Sequence, residues 1–189
     1  MRKLIYYIAT SLDGFVCRPD GSLDDFSFEG EHVNDLLANY PETIPTHLRT
    51  HLDVTDDNKC FDTVLMGWGT YEVGLQQGVT SPYQHLRQYV FSRSARPDVD
   101  EDLQIVAENS HELVRDLKAE AGGLDIWLCG GPTLATELLH QIDEVILKIN
   151  PFFMGAGKTL FASEFPKRSL RAMDRCDYEN GFSIQRFAM

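Results

Sequence analysis

Short apolar runs alternate along this chain with apolar residues at helical spacing. Each run is bounded by glycine or polar residues, which is typical of a buried strand. These runs occupy residues 4–9, 61–66, 88–91, 103–106, 126–129 and 144–149. The helical spacing predicts helices over residues 28–40, from residue 68 onward, over 110–121 and over 132–142.

The alternation of strand and helix predicts a single α/β domain over residues 1–189, because it favours a largely parallel sheet with helices on both faces. After residue 142 the alternation of strand and helix ends, and we expect residues 169–174 and 182–187 to add antiparallel edge strands. The first strand is expected to continue to Cys17 with a kink or bulge near Asp13 and Gly14. Residues 41–59 read as a surface excursion with one short helix.

The segment around Gly130 and Gly131 organises the rest of the chain. It predicts a buried strand, a two-glycine turn and a helix that begins at Pro132. Glycine allows a ligand to approach the main chain, and the free amides of a helix start favour phosphate. A tight strand-to-helix turn without a ligand explains the same pattern. A second junction of this kind follows the strand that ends before Gly67.

Composition narrows the function classes. The 189 residues are 43% hydrophobic, as in a globular protein, and the formal net charge of −12 argues against nucleic-acid or membrane-surface partners. We expect a cytoplasmic protein, because no long apolar segment or small-residue cleavage site follows the N-terminus. The four cysteines are scattered without a C-x-x-C pair, which predicts reduced thiols.

Three further patterns carry possible chemistry. Residues 155–159 resemble the end of a phosphate-binding P-loop, but Phe152 stands where that motif requires glycine. His47 and His51 are four apart, yet no third metal ligand is evident, and we expect no metal site. Ser92 and Arg93 directly follow a strand and could hold a phosphate monoester, but the pair alone favours a solvated loop.

Taken together, five motifs resemble those of the dihydrofolate reductase superfamily, and within it the reductase domain of bacterial riboflavin biosynthesis (the RibD C-terminal type). They occur in the family's order and span nearly the whole chain. The motifs are Ser11-Leu12-Asp13-Gly14, residues 64–72, Val90-Phe91-Ser92-Arg93, residues 128–134, and residues 143–145 leading to 151–157.

The resemblance implies a dihydrofolate reductase-like three-layer fold, with NADPH lying across the ends of the strands of a central mixed, mostly parallel sheet. By similarity, the residues expected to contact the cofactor are Ala9, Gly67, Trp68, Gly69, Thr70, Ser92, Arg93, Cys129, Gly130, Gly131, Pro132, Thr133 and Leu134. Ser92 and Arg93 would take the 2′-phosphate, and the residues from Gly130 to Leu134 would line the pyrophosphate. The family usually has arginine at the position of Trp68, so one cationic contact is replaced here.

Thr10 and Asp13 are the catalytic candidates that the resemblance implies, because the bend from Thr10 to Gly14 would lie beside the nicotinamide and the substrate. Dihydrofolate reductase also uses a carboxylate from the region that follows. Four acidic residues of this chain lie there: Asp24, Asp25, Glu29 and Glu31.

The expected function is therefore an NADPH-dependent reductase that transfers hydride to a small heterocyclic substrate, pteridine- or pyrimidine-like. A homodimer is expected from the resemblance and from the apolar tail strands. The alternative is an NADPH-binding protein of this fold without turnover, with a sensor or assembly role. A substrate-binding protein that never holds NADPH is a third and poorer alternative.

Overall fold

The computed structural model describes residues 1–55, 57–94 and 100–189. The strands are β1 (Leu4–Ser11), β2 (Phe15–Cys17), β3 (Phe61–Gly67), β4 (Arg87–Phe91), β5 (Leu103–Val106), β6 (Asp125–Gly130), β7 (Glu144–Asn150), β8 (Lys158–Thr159), β9 (Arg171–Asp177) and β10 (Ser183–Ala188). The helices are α1 (Glu31–Asn39), α2 (Thr46–Arg49), α3 (Trp68–Gln76), α4 (Ser110–Ala119) and α5 (Pro132–Glu137), and a 3₁₀ turn spans Pro41–Thr43.

The strands of the described part of the chain form a large mixed sheet in the order β5-β4-β3-β6-β1-β7-β10-β9. The pairs from β5 to β7 are parallel, whereas β10 runs antiparallel to both β7 and β9. This arrangement confirms the predicted α/β class, including the antiparallel tail strands.

Helices cover both faces of this sheet. Successive residues of a strand point to opposite faces, so each strand contributes apolar side chains to both layers of helices. On one face, Leu4 and Tyr6 of β1 pack with residues of α4 and α5, among them Val114 and Leu134. On the other face, Ile5 and Tyr7 pack with residues of α1 and α3. The sheet is therefore the middle of three layers, as expected.

The start of the chain differs from the expectation of one long kinked strand. The main chain turns between β1 and β2, with Gly14 at φ +84° and its amide bonded to the carbonyl of Ser11 at 3.1 Å. The Ser11 hydroxyl also accepts a hydrogen bond from the amide of Phe15. As a result β2 leaves the main sheet and pairs with β8 in a separate two-stranded sheet.

Two helices are shorter than the apolar spacing suggests. α1 begins at Glu31, after Gly30 at φ +118°, and Phe28 is 47% exposed. α5 ends at Glu137, because the chain then continues in tighter turns, with the amide of Gln141 bonded to the carbonyl of Leu138. Ile142 stays buried in the core, so the predicted burial is correct where the predicted helix is wrong.

The excursion before β3 contains the expected short helix and is anchored by a buried carboxylate. Glu42 is fully buried, and its side chain accepts hydrogen bonds from the amides of Lys59, Cys60 and Phe61 at 3.2, 2.8 and 2.7 Å. Its carbonyl is 2.8 Å from Nε2 of His85. One residue of the excursion, Asp56, lies outside the described residues.

Across the described residues, every helix is too short or too polar to span a lipid bilayer. All four cysteines are free thiols, and only Cys176 is exposed.

Candidate active site

A cleft of about 1120 Å³ opens at the carboxyl ends of the parallel strands. Ala9 of β1, Gly67 of β3, Phe91 of β4 and Cys129 of β6 all line it. Ligands of open α/β sheets bind at this edge, where successive loops and helix starts face the same crevice. The cleft is large enough for a dinucleotide together with a small second molecule.

Two glycine junctions meet in the wall of this cleft. A Cβ built on Gly67 would lie 3.3 Å from the amide nitrogen of Gly131 and 3.6 Å from the carbonyl oxygen of Gly130. Gly130 has φ +126°, which favours glycine, and the peptide bond between Gly130 and Gly131 is cis. The two strand-to-helix turns approach each other closely because neither carries a side chain at the contact.

The helices that follow these turns begin without side-chain caps. Gly67 precedes α3 and Gly131 precedes α5, and neither residue offers a side-chain hydrogen bond to the first turn. A Cβ built on Gly131 would meet only Thr70 Oγ1, at 3.4 Å. Open space thus lies in front of two helix starts whose first amides lack intrahelical partners, and such amides favour anionic groups.

The structure brings almost every predicted cofactor residue into this one cleft. Those that line it are Ala9, Gly67, Trp68, Gly69, Thr70, Ser92, Arg93, Cys129, Gly131, Pro132, Thr133 and Leu134. Gly130 is buried directly behind the lining. The cleft therefore brings together the two glycine junctions, the Ser92-Arg93 pair and the further residues that the resemblance added.

Ser92 and Arg93 lie at the cleft as expected, but Arg93 already has an anionic neighbour. Its Nη2 atom donates to Glu137 Oε2 at 2.8 Å, although the arginine side chain is 83% exposed. The same glutamate also accepts a hydrogen bond from the Ser110 hydroxyl. A ligand phosphate at Arg93 would therefore have to compete with Glu137 or share the guanidinium with it.

Thr10 and Asp13 do not line the cleft. The Thr10 hydroxyl is buried and donates to the carbonyl of Ser11, at 2.8 Å. Asp13 accepts hydrogen bonds from the Ser11 hydroxyl and from the amides of Met154 and Gly155, at 2.6, 3.0 and 2.8 Å. The serine hydroxyl, followed by the Met154 amide, holds the pKa of the Asp13 carboxyl at about 2. In these contacts Asp13 fastens two loops together.

The four other acidic candidates also lie outside the cleft lining. Asp25 is ion-paired with Arg18 through two contacts of 2.6 Å, and this partner lowers its pKa. Asp24, Glu29 and Glu31 are exposed.

Part of the cleft wall is apolar and aromatic. Leu48 of α2, Trp68 of α3 and Tyr83 form it together with the half-buried thiol of Cys129. Burial raises the pKa of the Cys129 thiol to about 12 and that of Tyr83 well above its ordinary value. Both groups are therefore neutral at neutral pH, and a flat, uncharged ring system suits this wall.

Lys148 was not predicted as a site residue. It lies on β7 directly opposite Ala9 of β1, and its Nζ atom is 4.1 Å from the centre of the Tyr7 ring. Burial lowers the pKa of its ammonium group to about 8. One signal could have found it: it is the charged residue in the middle of the run Val145 to Ile149, whose other members are apolar.

Known proteins share the sequence pattern of this chain. A family model of the RibD C-terminal domain matches residues 2–184. The chain is 33% identical over 163 residues to the uncharacterized protein YwjB of Bacillus subtilis, a match that covers 85% of this chain and 83% of YwjB. It is 26% identical over 163 residues to the riboflavin biosynthesis protein RibD of Mycobacterium tuberculosis, but this match covers 80% of this chain and only 42% of RibD.

Two solved structures share the fold. A putative riboflavin biosynthesis protein from Shewanella sp. PV-4 superimposes with a TM-score of 0.71 at 21% identity, over 100% of this chain and 98% of that one. Dihydrofolate reductase from Enterococcus faecalis, in complex with NADP(H), gives a TM-score of 0.63 at 13% identity, over 98% and 95%. At these identities the likeness confirms the dihydrofolate reductase-like fold.

Proposed function

The chain belongs to the RibD C-terminal domain family, and from this premise we propose that it is an NADPH-dependent reductase. Its substrate would be a small heterocycle, pteridine- or pyrimidine-like. The observation that carries this proposal is the meeting of two uncapped helix starts and the Ser92-Arg93 pair in one cleft. A dinucleotide with a 2′-phosphate offers the complementary groups: a pyrophosphate for the helix starts and a phosphate monoester for Arg93.

Different parts of the cleft would bind different parts of the cofactor and the substrate. The turns at Gly67 and Gly131 would hold the pyrophosphate, and Ala9 and Cys129 would lie where the nicotinamide meets the substrate. When bound, the cofactor supplies a hydride for a polarised C=N or C=O carbon. Trp68 and Tyr83 would hold the flat substrate and exclude water from the site. Trp68 also donates from Nε1 to Glu72 at 3.1 Å, which fixes the orientation of its indole ring.

Two measurements test this proposal. NADPH and NADH are titrated against the protein by thermal shift and calorimetry, and NADPH oxidation is then followed with dihydrofolate and with 5-amino-6-(5-phosphoribosylamino)uracil. Substrate-dependent oxidation supports the reductase. NADPH binding without any oxidation would instead favour the binding protein without turnover, and absence of NADPH binding would contradict both.

Arg93→Ala should weaken NADPH binding about tenfold while NADH binding stays unchanged. Only NADPH carries the phosphate that Arg93 would contact, and a charge-assisted contact contributes about 1.5–3 kcal/mol, of which competition from Glu137 and solvent removes a part. Calorimetry with both cofactors measures the difference. Equal weakening of the two cofactors would contradict the assignment. Glu137→Gln is the matched control, and it should strengthen NADPH binding because it removes the competing carboxylate.

We also propose a homodimer that covers β9. This edge strand is exposed along all seven residues, and Leu170 and Met173 are 44% and 41% exposed. Unpaired strand edges with apolar side chains are usually protected by a partner. Light scattering at micromolar concentration should give the mass of a dimer, and Met173→Lys should reduce it to that of a monomer. A monomeric wild type would contradict the proposal.

A further inference from the structure

Lys148 is a cation on an otherwise apolar part of the sheet. Alternate residues of β7 point to the two faces, and Lys148 shares its face with Ile146, with Ile184 of β10 and with Tyr7 of β1. The lysine is only half-buried, although this face is covered by α1 and α3. Its neighbours Ala9 and Cys129 both line the cleft.

Three other buried or half-buried cations of the described residues have carboxylate partners. Arg2 is paired with Asp62 and Glu120, Lys118 contacts Asp143 at 2.6 Å, and Arg186 contacts Glu144 at 2.5 Å. Arg186 is the closest comparison, because it lies on the same face of the sheet, on β10 opposite Ile146. Among the described residues, by contrast, Lys148 forms no salt bridge, and its ammonium group lies against the π face of Tyr7.

An unpaired ammonium group in such a place lowers the stability of the fold, since a cation–π contact replaces only part of the lost hydration. The titratable groups packed around it do not supply a negative charge. Burial raises the pKa of Tyr7, of Cys129 and of Tyr83, which contacts Cys129, so all three are neutral near pH 7. β10 contributes the uncharged Ile184 and also Arg186, whose charge is paired with Glu144 of β7, and Glu144 is paired with Lys3 as well. A bound ligand can therefore provide the electron-rich group that the Lys148 ammonium group lacks among the described residues.

We propose that Lys148 is the cationic residue of the substrate end of the cleft and the proton donor of the reaction. This inference rests on the proposed reductase function and specifies its substrate: the reducible double bond ends in an oxygen or nitrogen atom that meets Lys148. Lys148 is not itself part of the cleft lining, but its backbone pairs with Ala9 and its side chain neighbours Cys129, and both of these residues line the cleft where nicotinamide and substrate would meet.

Atoms and electrons balance in the chemical step. Hydride from NADPH forms a new C–H bond at the substrate carbon, and the π bond of the C=N or C=O group breaks. Its electron pair moves to the nitrogen or oxygen, which takes a proton from the Lys148 ammonium group. The substrate is reduced, NADPH is oxidised to NADP⁺, and the lysine amine regains a proton from water. The lowered pKa of Lys148, about 8, suits such a donor near neutral pH.

Lys148→Met should lower kcat at least about 100-fold with dihydrofolate or with 5-amino-6-(5-phosphoribosylamino)uracil, as expected for loss of a general acid. NADPH affinity should stay at the wild-type value. The melting temperature should be unchanged or higher, because methionine keeps the length of the side chain and removes an unpaired charge. Lys148→Arg should retain substrate binding, and its activity should no longer fall as the pH rises through about 8.

The matched control is Arg186→Met, which removes the paired cation of the same face. It should lower the melting temperature, because the buried Glu144 loses one of its two cationic partners and keeps only Lys3, and it should leave kcat within about twofold. Calorimetry of both probes with the wild type and Lys148→Met, with and without NADP⁺, measures substrate binding independently of turnover. Weaker probe binding in Lys148→Met supports the proposal.

Wild-type probe binding and turnover in Lys148→Met would overturn the role of Lys148 and leave the reductase intact. If the wild type binds no NADPH, the reductase proposal fails, and the proton-donor role falls with it. A drop in melting temperature in Lys148→Met without loss of probe binding would also overturn it, since that result identifies a packing lysine.

Discussion

Replacing Gly131 by valine should abolish NADPH binding and leave the protein folded. Gly131 has φ −87° and ψ −168°, an extended conformation that valine adopts without strain. A Cβ at this position would meet only Thr70 Oγ1 at 3.4 Å, so the added methyl groups would project into the open space of the cleft. That space lies in front of the starts of α3 and α5, where the pyrophosphate would bind. We expect the dissociation constant to rise more than about 100-fold, a loss of about 3 kcal/mol.

The neighbouring glycine provides a matched control. Gly130 has φ +126°, which side-chain-bearing residues rarely adopt, so Gly130→Val should lower the melting temperature through backbone strain. The measurements are the melting temperature of each apo variant and its NADPH affinity by calorimetry. A folded Gly131→Val protein with wild-type affinity would contradict a cofactor site at this turn, and so would an unfolded one.

Glu42→Ala should cost about 3 kcal/mol of unfolding free energy, because three backbone amides, one buried and two partly buried, lose their acceptor at once. For a chain of this length that loss lowers the melting temperature by roughly 6–12 °C. Thermal denaturation followed by circular dichroism measures it. Glu164→Ala, at an exposed glutamate, should change the melting temperature very little. An unchanged melting temperature in Glu42→Ala would show that solvent replaces the carboxylate at the start of β3.

The fold could be predicted from the sequence because its signals are local. The apolar runs at β1, β3, β6 and β7 and the glycines that follow two of them specify strands and turns within a few residues. The extent of α5 could not be predicted, since buried residues after Glu137 keep an apolar pattern while the chain turns more tightly. The departure of β2 from the sheet was missed for a related reason. Its partner β8 is distant in sequence, and the pairing leaves no local trace.

Local sequence signals likewise predict one part of the candidate site and not the other. The predicted cofactor residues belong to recognisable motifs, the glycine turns and a Ser-Arg pair, and the structure gathers all of them except Gly130 in the lining of one cleft. The hydrogen-bonding partners of the acidic residues could not be predicted from the sequence. In the sequence Asp13 resembles a catalytic carboxylate, but its oxygens accept hydrogen bonds from the amides of Met154 and Gly155. Lys148 resembles any strand lysine until the fold shows that, among the described residues, no carboxylate accompanies it.

The position of β1 also has a consequence for biosynthesis. This strand leaves the ribosome before the other strands of the sheet, yet it lies in the centre of the sheet and pairs with β6 and β7, whose partner residues reach from Ile126 to Asn150. The nascent chain cannot close its central sheet until those residues have also emerged, so β1 must wait with both edges open during most of translation. Such long-range pairing slows folding and exposes an apolar strand to aggregation. We therefore expect nascent chains stalled before β6 to be the ones that chaperones retain.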